Sequence, residues 1–242
     1  MPPLPGGVEL LVAASAIFVG SALQGAVGFG LALVAAPILF LVDERLVPGP
    51  ILISALALTL LSARRDWHAI DFSGLRWGLS GRIPGTVIGA AMLWVLPAEE
   101  MAAPLAALVL LAVAMSASGI RVDPTPGNLV GAGLLSGIMG TTSSIGGPPL
   151  AMVYQHAPGD RIRGTLGVYF VIGCILSLVA VAAVGRLGLF EMIYGAALVP
   201  AVLLGFALST RLTTWLDGGY TRPAILGVSA VGAVVVVARQ LW

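Results

Sequence analysis

Long apolar stretches separated by short charged ones set the pattern of this chain. A bilayer-spanning helix needs roughly 20 mostly apolar residues. The segments 47–63, 75–96, 101–119, 163–184, 192–213 and 221–240 have that length and character. Two further apolar regions, 8–42 and 127–157, are broken by glycines. Each is too long for one crossing and barely long enough for two, so each reads either as two short crossings or as a re-entrant hairpin. Nearly all charge falls in the connections, centred on Asp43-Glu44-Arg45, Arg64 to Asp71, Pro97 to Glu100, Arg121 to Gly127, Pro158 to Arg163, Gly185 to Glu191 and Asp217 to Arg222. None of these has room for an extramembrane domain. Trp67 and Trp77 suit the headgroup level, where amphipathic rings collect.

Composition agrees with the pattern. Of 242 residues, 58% are hydrophobic and 10% charged, whereas a soluble domain carries roughly 25% charged residues. Such a chain cannot cover itself with polar surface, so its apolar faces must meet lipid. The expected class is an all-α integral membrane protein, a polytopic helical bundle of 8–10 membrane segments. The net charge of +1 gives no footprint for a nucleic acid. The single cysteine, Cys174, excludes a disulfide framework and a multi-cysteine metal site, and reads as a small packing residue. No metal or cofactor is expected. Met1 to Gly7 contains no basic residue, so the apolar run after it is expected to stay as a membrane segment rather than leave as a signal peptide.

Charge asymmetry sets the expected orientation, because arginines collect on the cytoplasmic side. With Arg64 and Arg65 inside, threading the spans puts Arg76, Arg82, Arg121, Arg161, Arg163, Arg211 and Arg222 on or near that side, and Arg45, Arg186 and Arg239 outside. This holds only if regions 8–42 and 127–157 each return to the side they enter. Both termini then lie outside.

The two broken regions resemble each other. A shift of 112 places Gly25 on Gly137, Gly28 on Gly140 and Pro37 on Pro149, and a shift of 116 places Pro84 and Gly89 on Pro200 and Gly205. Each half, residues 1–122 and 123–242, then holds one glycine-broken segment and three spans. Three crossings reverse the direction of insertion, so the halves are expected to form an inverted repeat, an architecture common among secondary transporters.

Such folds bind substrate near the midplane, at broken helices. The expected breaks are Gln24 to Gly30 and Gly140 to Pro149. Half-helix N-termini expose backbone N–H groups and a partial positive charge, which suits an anion. The amide of Gln24 and the hydroxyls of Thr141, Thr142, Ser143 and Ser144 add candidate donors, against the plainer reading that hydroxyls bond back to their own helix. Arg82 is the basic residue set deepest in an apolar span, and reads either as a substrate contact or as a side chain that snorkels to the interface. No Asp or Glu lies mid-span, which disfavours a carboxylate proton relay. An interior-negative potential drives anions outward by about 2.3 kcal/mol per charge per 100 mV.

The paired motifs Gln24-Gly25-x2-Gly28-Phe29-Gly30-x6-Pro37 and Gly137-x2-Gly140-x5-Gly146-Gly147-Pro148-Pro149 resemble the two signature segments of the TauE/SafE sulfite exporter family. The resemblance covers nearly the whole chain. It implies a bacterial inner-membrane, multi-pass carrier of sulfur-containing anions such as sulfite or sulfoacetate. It also implies a lining of Gln24, Gly25, Gly28, Phe29, Gly30, Gly140, Thr141, Thr142, Ser143, Ser144, Gly146 and Gly147, to which Arg82 is added from its position alone. The leading expectation is export by alternating access, with a small anionic substrate and the lipid bilayer as partners and glycine-rich faces that suit a homodimer. The competing readings are a passive anion channel, a non-transporting membrane subunit and, last, an intramembrane hydrolase using Ser143 or Ser144 with His156.

Overall fold

A computed structural model of the chain describes residues 6–97 and 100–216. The apolar segment 221–240, Arg222 and Arg239 lie outside the described residues. Within them the chain is helical and has no strand. The helices are α1 (Gly7–Val27), α2 (Leu31–Val42), α3 (Gly49–Arg65), α4 (Phe72–Val95), α5 (Ala102–Ala117), α6 (Pro126–Ser143), α7 (Gly147–Tyr154), α8 (Gly159–Ala183), α9 (Leu189–Ala197) and α10 (Val199–Leu216).

Four helical runs are long and apolar enough to cross a bilayer: Gly7–Val27, Glu44–Arg65, Gly159–Ala183 and Leu189–Thr213. The last joins α9 and α10, which divide at Leu198, two residues before Pro200. Helix α4 has 24 residues but carries Arg82 among its apolar ones. Its exposed face is Ile83, Val87, Ile88, Trp94 and Val95, as a lipid-facing surface requires.

The helix starts follow from local chemistry. The Asp71 carboxylate accepts the Gly74 N–H at 3.1 Å and caps α4, while Thr125 caps α6 by accepting the Asn128 N–H at 3.3 Å, with Pro126 in the first turn. Chain reversal inside the bundle needs special backbone. Gly28 and Gly30 take φ of 104° and 127°, and Ser144 takes φ of 64°. These are left-handed or related conformations that glycine adopts easily and serine does not.

Both broken regions prove to be hairpins. A Cβ on Gly20 of α1 would meet the Leu31 backbone at the start of α2, and one on Gly146 would meet the Ser136 carbonyl of α6. Each short helix therefore turns back along the long helix before it. The turns themselves stand 116 residues apart: Gly28-Phe29-Gly30 matches Ser144-Ile145-Gly146, and the shift of 112 that aligns Gly28 with Gly140 is corrected. Gly140 is helical, inside α6. Glycine identities pulled the sequence comparison four residues off, because the second turn uses a serine.

Close packing joins the first part of the chain to the second. Helix α1 lies on α10, α4 on α6 and α3 on α8. Gly81, Gly85, Gly133 and Gly137 bring the α4 and α6 backbones together, and a Cβ on any of them would strike main-chain atoms of the facing helix. Lipid tails are as apolar as leucine, so such contacts hold by backbone proximity and van der Waals fit rather than by water exclusion. The contacts of Gly81 with Val130 and Gly85 with Leu134 show that α4 and α6 run parallel; Gly205 with Phe18 and Gly25 with Ser209 show the same for α1 and α10. Helix α3 runs antiparallel to α8, since Gly164 faces Asp66 and Gly167 faces Ala63.

The bundle has two charged ends. At one, Asp66 Oδ2 accepts from Arg65 at 2.9 Å and pairs with Arg163 at 3.4 Å, while Arg161 pairs with Asp71 at 3.3 Å. At the other, Arg45 pairs with Asp43 and lies 4.1 Å from the Phe190 ring centre, and Arg186 donates to the Leu96 carbonyl.

Candidate functional site

The turns of the two hairpins meet at one crevice, where a Cβ on Gly147 would fall 2.8 Å from Phe29 Cβ. Gln24, Phe29, Gly30 and Leu31 to Leu33 line it from the first hairpin, and Gly140 and Ser144 to Pro148 from the second. Leu52, Ala55 and Thr59 of α3, Arg82 of α4, and Phe170 and Cys174 of α8 close it. The void is about 490 Å³ including its open mouth. A second hollow of about 630 Å³ lies at the Asp43 end, lined by Arg45, Pro48, Thr142, Arg186 and others. Between the two stands the contact of the Ser144 hydroxyl with the Pro48 carbonyl, 3.1 Å long.

Arg82 dominates the chemistry of the crevice. It is 2% exposed, so it does not snorkel to the surface. Nη1 donates to the Ser136 carbonyl and hydroxyl, both at 2.9 Å. Nη2 donates to the Gly173 carbonyl at 3.1 Å and the Ser177 hydroxyl at 3.0 Å. Nε is buried without a partner, and the guanidinium lies 5.6 Å from the Tyr169 ring centre. No carboxylate among the described residues pairs with it. A buried cation costs several kcal/mol unless an opposite charge joins it, and four neutral acceptors leave this one positive. Its space is made by glycines: a Cβ on Gly140 would fall 2.8 Å from Nη2, one on Gly146 2.9 Å from Nη1, and one on Gly173 2.9 Å from Cζ.

The hairpins bring different helix ends to the crevice. At the start of α2 the Gln24 side-chain oxygen accepts the Leu31 N–H at 3.0 Å. Ala32 and Leu33 follow, still within the first turn whose N–H groups have no intrahelical partner. Helix α7 begins Gly147-Pro148-Pro149. Proline has no N–H, so that end offers the Gly147 N–H alone, and Arg82 supplies the positive charge there.

Of the residues singled out in the sequence, Gln24, Phe29, Gly30, Arg82, Gly140, Ser144, Gly146 and Gly147 come together around this space. Five do not line it. Gly25 packs on Phe206 and Ser209, and Gly28 on Ile162 and Arg163. Thr142 and Ser143 donate back to Ile138 and Met139 carbonyls at 2.8 and 2.7 Å, as hydroxyls in membrane helices commonly do. The Thr141 hydroxyl shares a 2.9 Å bond with Ser177 and so supports Arg82 from behind. His156 is exposed and stands beyond α7 from Ser143 and Ser144, roughly 12 Å along eight helical residues, so no serine–histidine pair is assembled. Sequence reasoning missed Ser136, Ser177, Gly173, Phe170 and the crevice face of Cys174. Small polar residues in otherwise apolar spans are the one signal that pointed to the two serines.

Several apolar crossings, two helix hairpins that turn within the bundle, and a buried arginine at the crevice between them define an all-α, multi-pass membrane protein of the transporter type. The sequence model of the family described as Sulfite exporter TauE/SafE matches residues 12–236. The chain belongs to that family, a family of membrane transporters. No curated protein and no solved structure matches the chain.

Proposed function

We propose that the protein exports a small sulfur-containing anion, sulfite or an organosulfonate, across the bacterial inner membrane by alternating access, with the anion held in the crevice between the two hairpins. One observation carries the reading: Arg82 is buried beside the crevice with four neutral acceptors and no acidic partner among the described residues. A resident carboxylate would have neutralised it, so the missing negative charge is assigned to the cargo. The α2 start adds N–H donors from the first hairpin, as an oxyanion requires.

Alternating access needs two elements that exchange partners, and the packing of α1 on α10, α4 on α6 and α3 on α8 is what supports reading residues 1–122 and 123–242 as inverted halves. Each hairpin turn also abuts the start of the other half's next long helix: Gly28 against Ile162 and Arg163, Ser144 against Pro48. Among the described residues, the end holding Arg64, Arg65, Arg76, Arg121, Arg161, Arg163 and Arg211 is taken as cytoplasmic, and the end with Arg45 and Arg186 as external. The external hollow is then the release vestibule, shut off by the Ser144–Pro48 contact.

Flux from proteoliposomes tests this. Purified protein is reconstituted with sulfite, methanesulfonate, sulfoacetate, sulfate or chloride inside. Saturable, potential-driven efflux of a sulfur anion that Arg82→Gln removes is the expected result. Efflux of chloride alone, or of nothing from protein that remains monodisperse, would discard the reading.

A further inference from the structure

We infer that the crevice selects its cargo by charge and takes singly charged anions, Arg82 being the residue that sets the rule; this rests on the transport reading above. Among the described residues the lining holds one formally charged group, Arg82, and one further ionisable group, the Cys174 thiol. The other ionisable side chain facing the guanidinium is the Tyr169 phenol, also on α8. Thiol and phenol are both neutral around pH 7. Helix α6 turns the Ser136 carbonyl and hydroxyl toward Arg82, and the α1 and α3 linings add Gln24 and Thr59.

Helix ends change this balance only slightly. The α2 start contributes a fraction of a charge, part of it already met by Gln24 Oε1. The α7 start, with two prolines in its first turn, has lost most of the N–H groups from which such a charge arises. A monoanion beside Arg82 therefore makes a near-neutral pair. A dianion leaves a net negative charge in a buried site whose lining, among the described residues, holds no second cation to meet it, and an uncompensated buried charge is strongly disfavoured.

The chemistry of the cargo turns this into a sharp expectation. Hydrogensulfite and simple alkanesulfonates carry one charge. Sulfate, fully ionised sulfite and sulfoacetate, which adds a carboxylate to its sulfonate, carry two. Sulfite passes between its two charge states near neutral pH, whereas methanesulfonate stays a monoanion throughout.

The test is flux of the unmodified protein in proteoliposomes at matched internal and external pH, from mildly acidic to mildly alkaline, at fixed total anion, with protein-free vesicles subtracted. Methanesulfonate efflux is expected to stay level across the range. Sulfite efflux is expected to fall with the hydrogensulfite fraction, about tenfold per pH unit on the alkaline side. Sulfate and sulfoacetate are expected to move at least about tenfold more slowly than methanesulfonate. Sulfite flux that stays level or rises with pH, or sulfoacetate flux equal to that of methanesulfonate, overturns the charge rule and leaves transport standing. No flux of any anion from folded protein overturns the transport reading and the rule with it.

Discussion

The two hairpins do one backbone job with different chemistry. The first reverses on Gly28 and Gly30, both at positive φ, and closes its helix start with the Gln24 amide. The second reverses on Ser144, a residue with a side chain in the left-handed region, and opens its return helix with two prolines. The first hairpin thus brings N–H donors to the crevice. The second brings room, in the form of Gly140 and Gly146, for a cation that belongs to α4. Under the proposed function the two segments divide the work: one side would orient the anion, the other would balance its charge.

That division can be broken from either side. Removing the charge is the harshest change. Arg82→Gln is expected to lower anion flux by roughly a hundredfold or more, on the scale of losing one partner of a buried charge pair, with Arg82→Lys keeping more activity because the charge survives. Size-exclusion profiles of both variants separate lost function from lost fold. Gly140→Ala comes next: its new methyl would press on Nη2 at 2.8 Å, and displacement of the guanidinium is expected to cost about tenfold in flux.

Changes in the first hairpin are expected to be milder in flux and plainer in stability. Gly28→Ala strains a φ of 104° and presses on Ile162 Cγ2 at 3.1 Å, a cost of about 1–2 kcal/mol read as a lowered Tm. Ser144→Gly relieves φ at the matching position while losing the Pro48 bond, and its stability is expected to change by less than about 1 kcal/mol in either direction, read as a small shift in Tm. Equal effects at the two positions would dissolve the contrast. Gln24→Ala frees the Leu31 N–H and is expected to cost about 1 kcal/mol and a few-fold in flux.

The smallest effect lies at the charged end of the bundle that holds Asp66 and Asp71, where Tyr154 closes α7. Burial works to raise the Asp71 carboxyl, but the Gly74 N–H, the Tyr154 hydroxyl and Arg161 outweigh it and hold the group below its ordinary value. A carboxyl depressed in the folded state stabilises the protein above its unfolded pKa, and that stability fades as pH falls through the folded one. Asp71→Asn is therefore expected to lower Tm by up to about 4 °C at neutral pH and to match the unchanged protein in strong acid. A difference that persists in acid would refute the electrostatic account.

Much of the fold was legible in the sequence. The segments 47–63, 75–96, 101–119 and 163–184 overlap α3, α4, α5 and α8 closely, because apolar length alone decides a crossing. The return of regions 8–42 and 127–157 to the end they enter followed from the arginine count. The site was legible in part. Gly140, Gly146 and Gly147 were found as helix breakers, although Gly140 in fact serves as space for Arg82. Thr142 and Ser143 read as ligands because composition cannot say where a hydroxyl points, and here both point back along α6. The bonds that hold Arg82, from Ser136, Gly173 and Ser177, join residues 54 to 95 positions away. No local pattern encodes a contact of that kind.

The packing of α1 on α10 also has a consequence for biogenesis. Helix α1 is complete at Val27, and its main partner begins at Val199. At roughly 5–20 residues per second of synthesis, α1 stands in the membrane for on the order of ten to thirty seconds before α10 exists. During that interval the α1 face that packs on α10, with Phe18, Ser21 and Gly25, meets lipid or the insertion machinery. The contact of α1 with α10 is therefore closed only when the later helix is made.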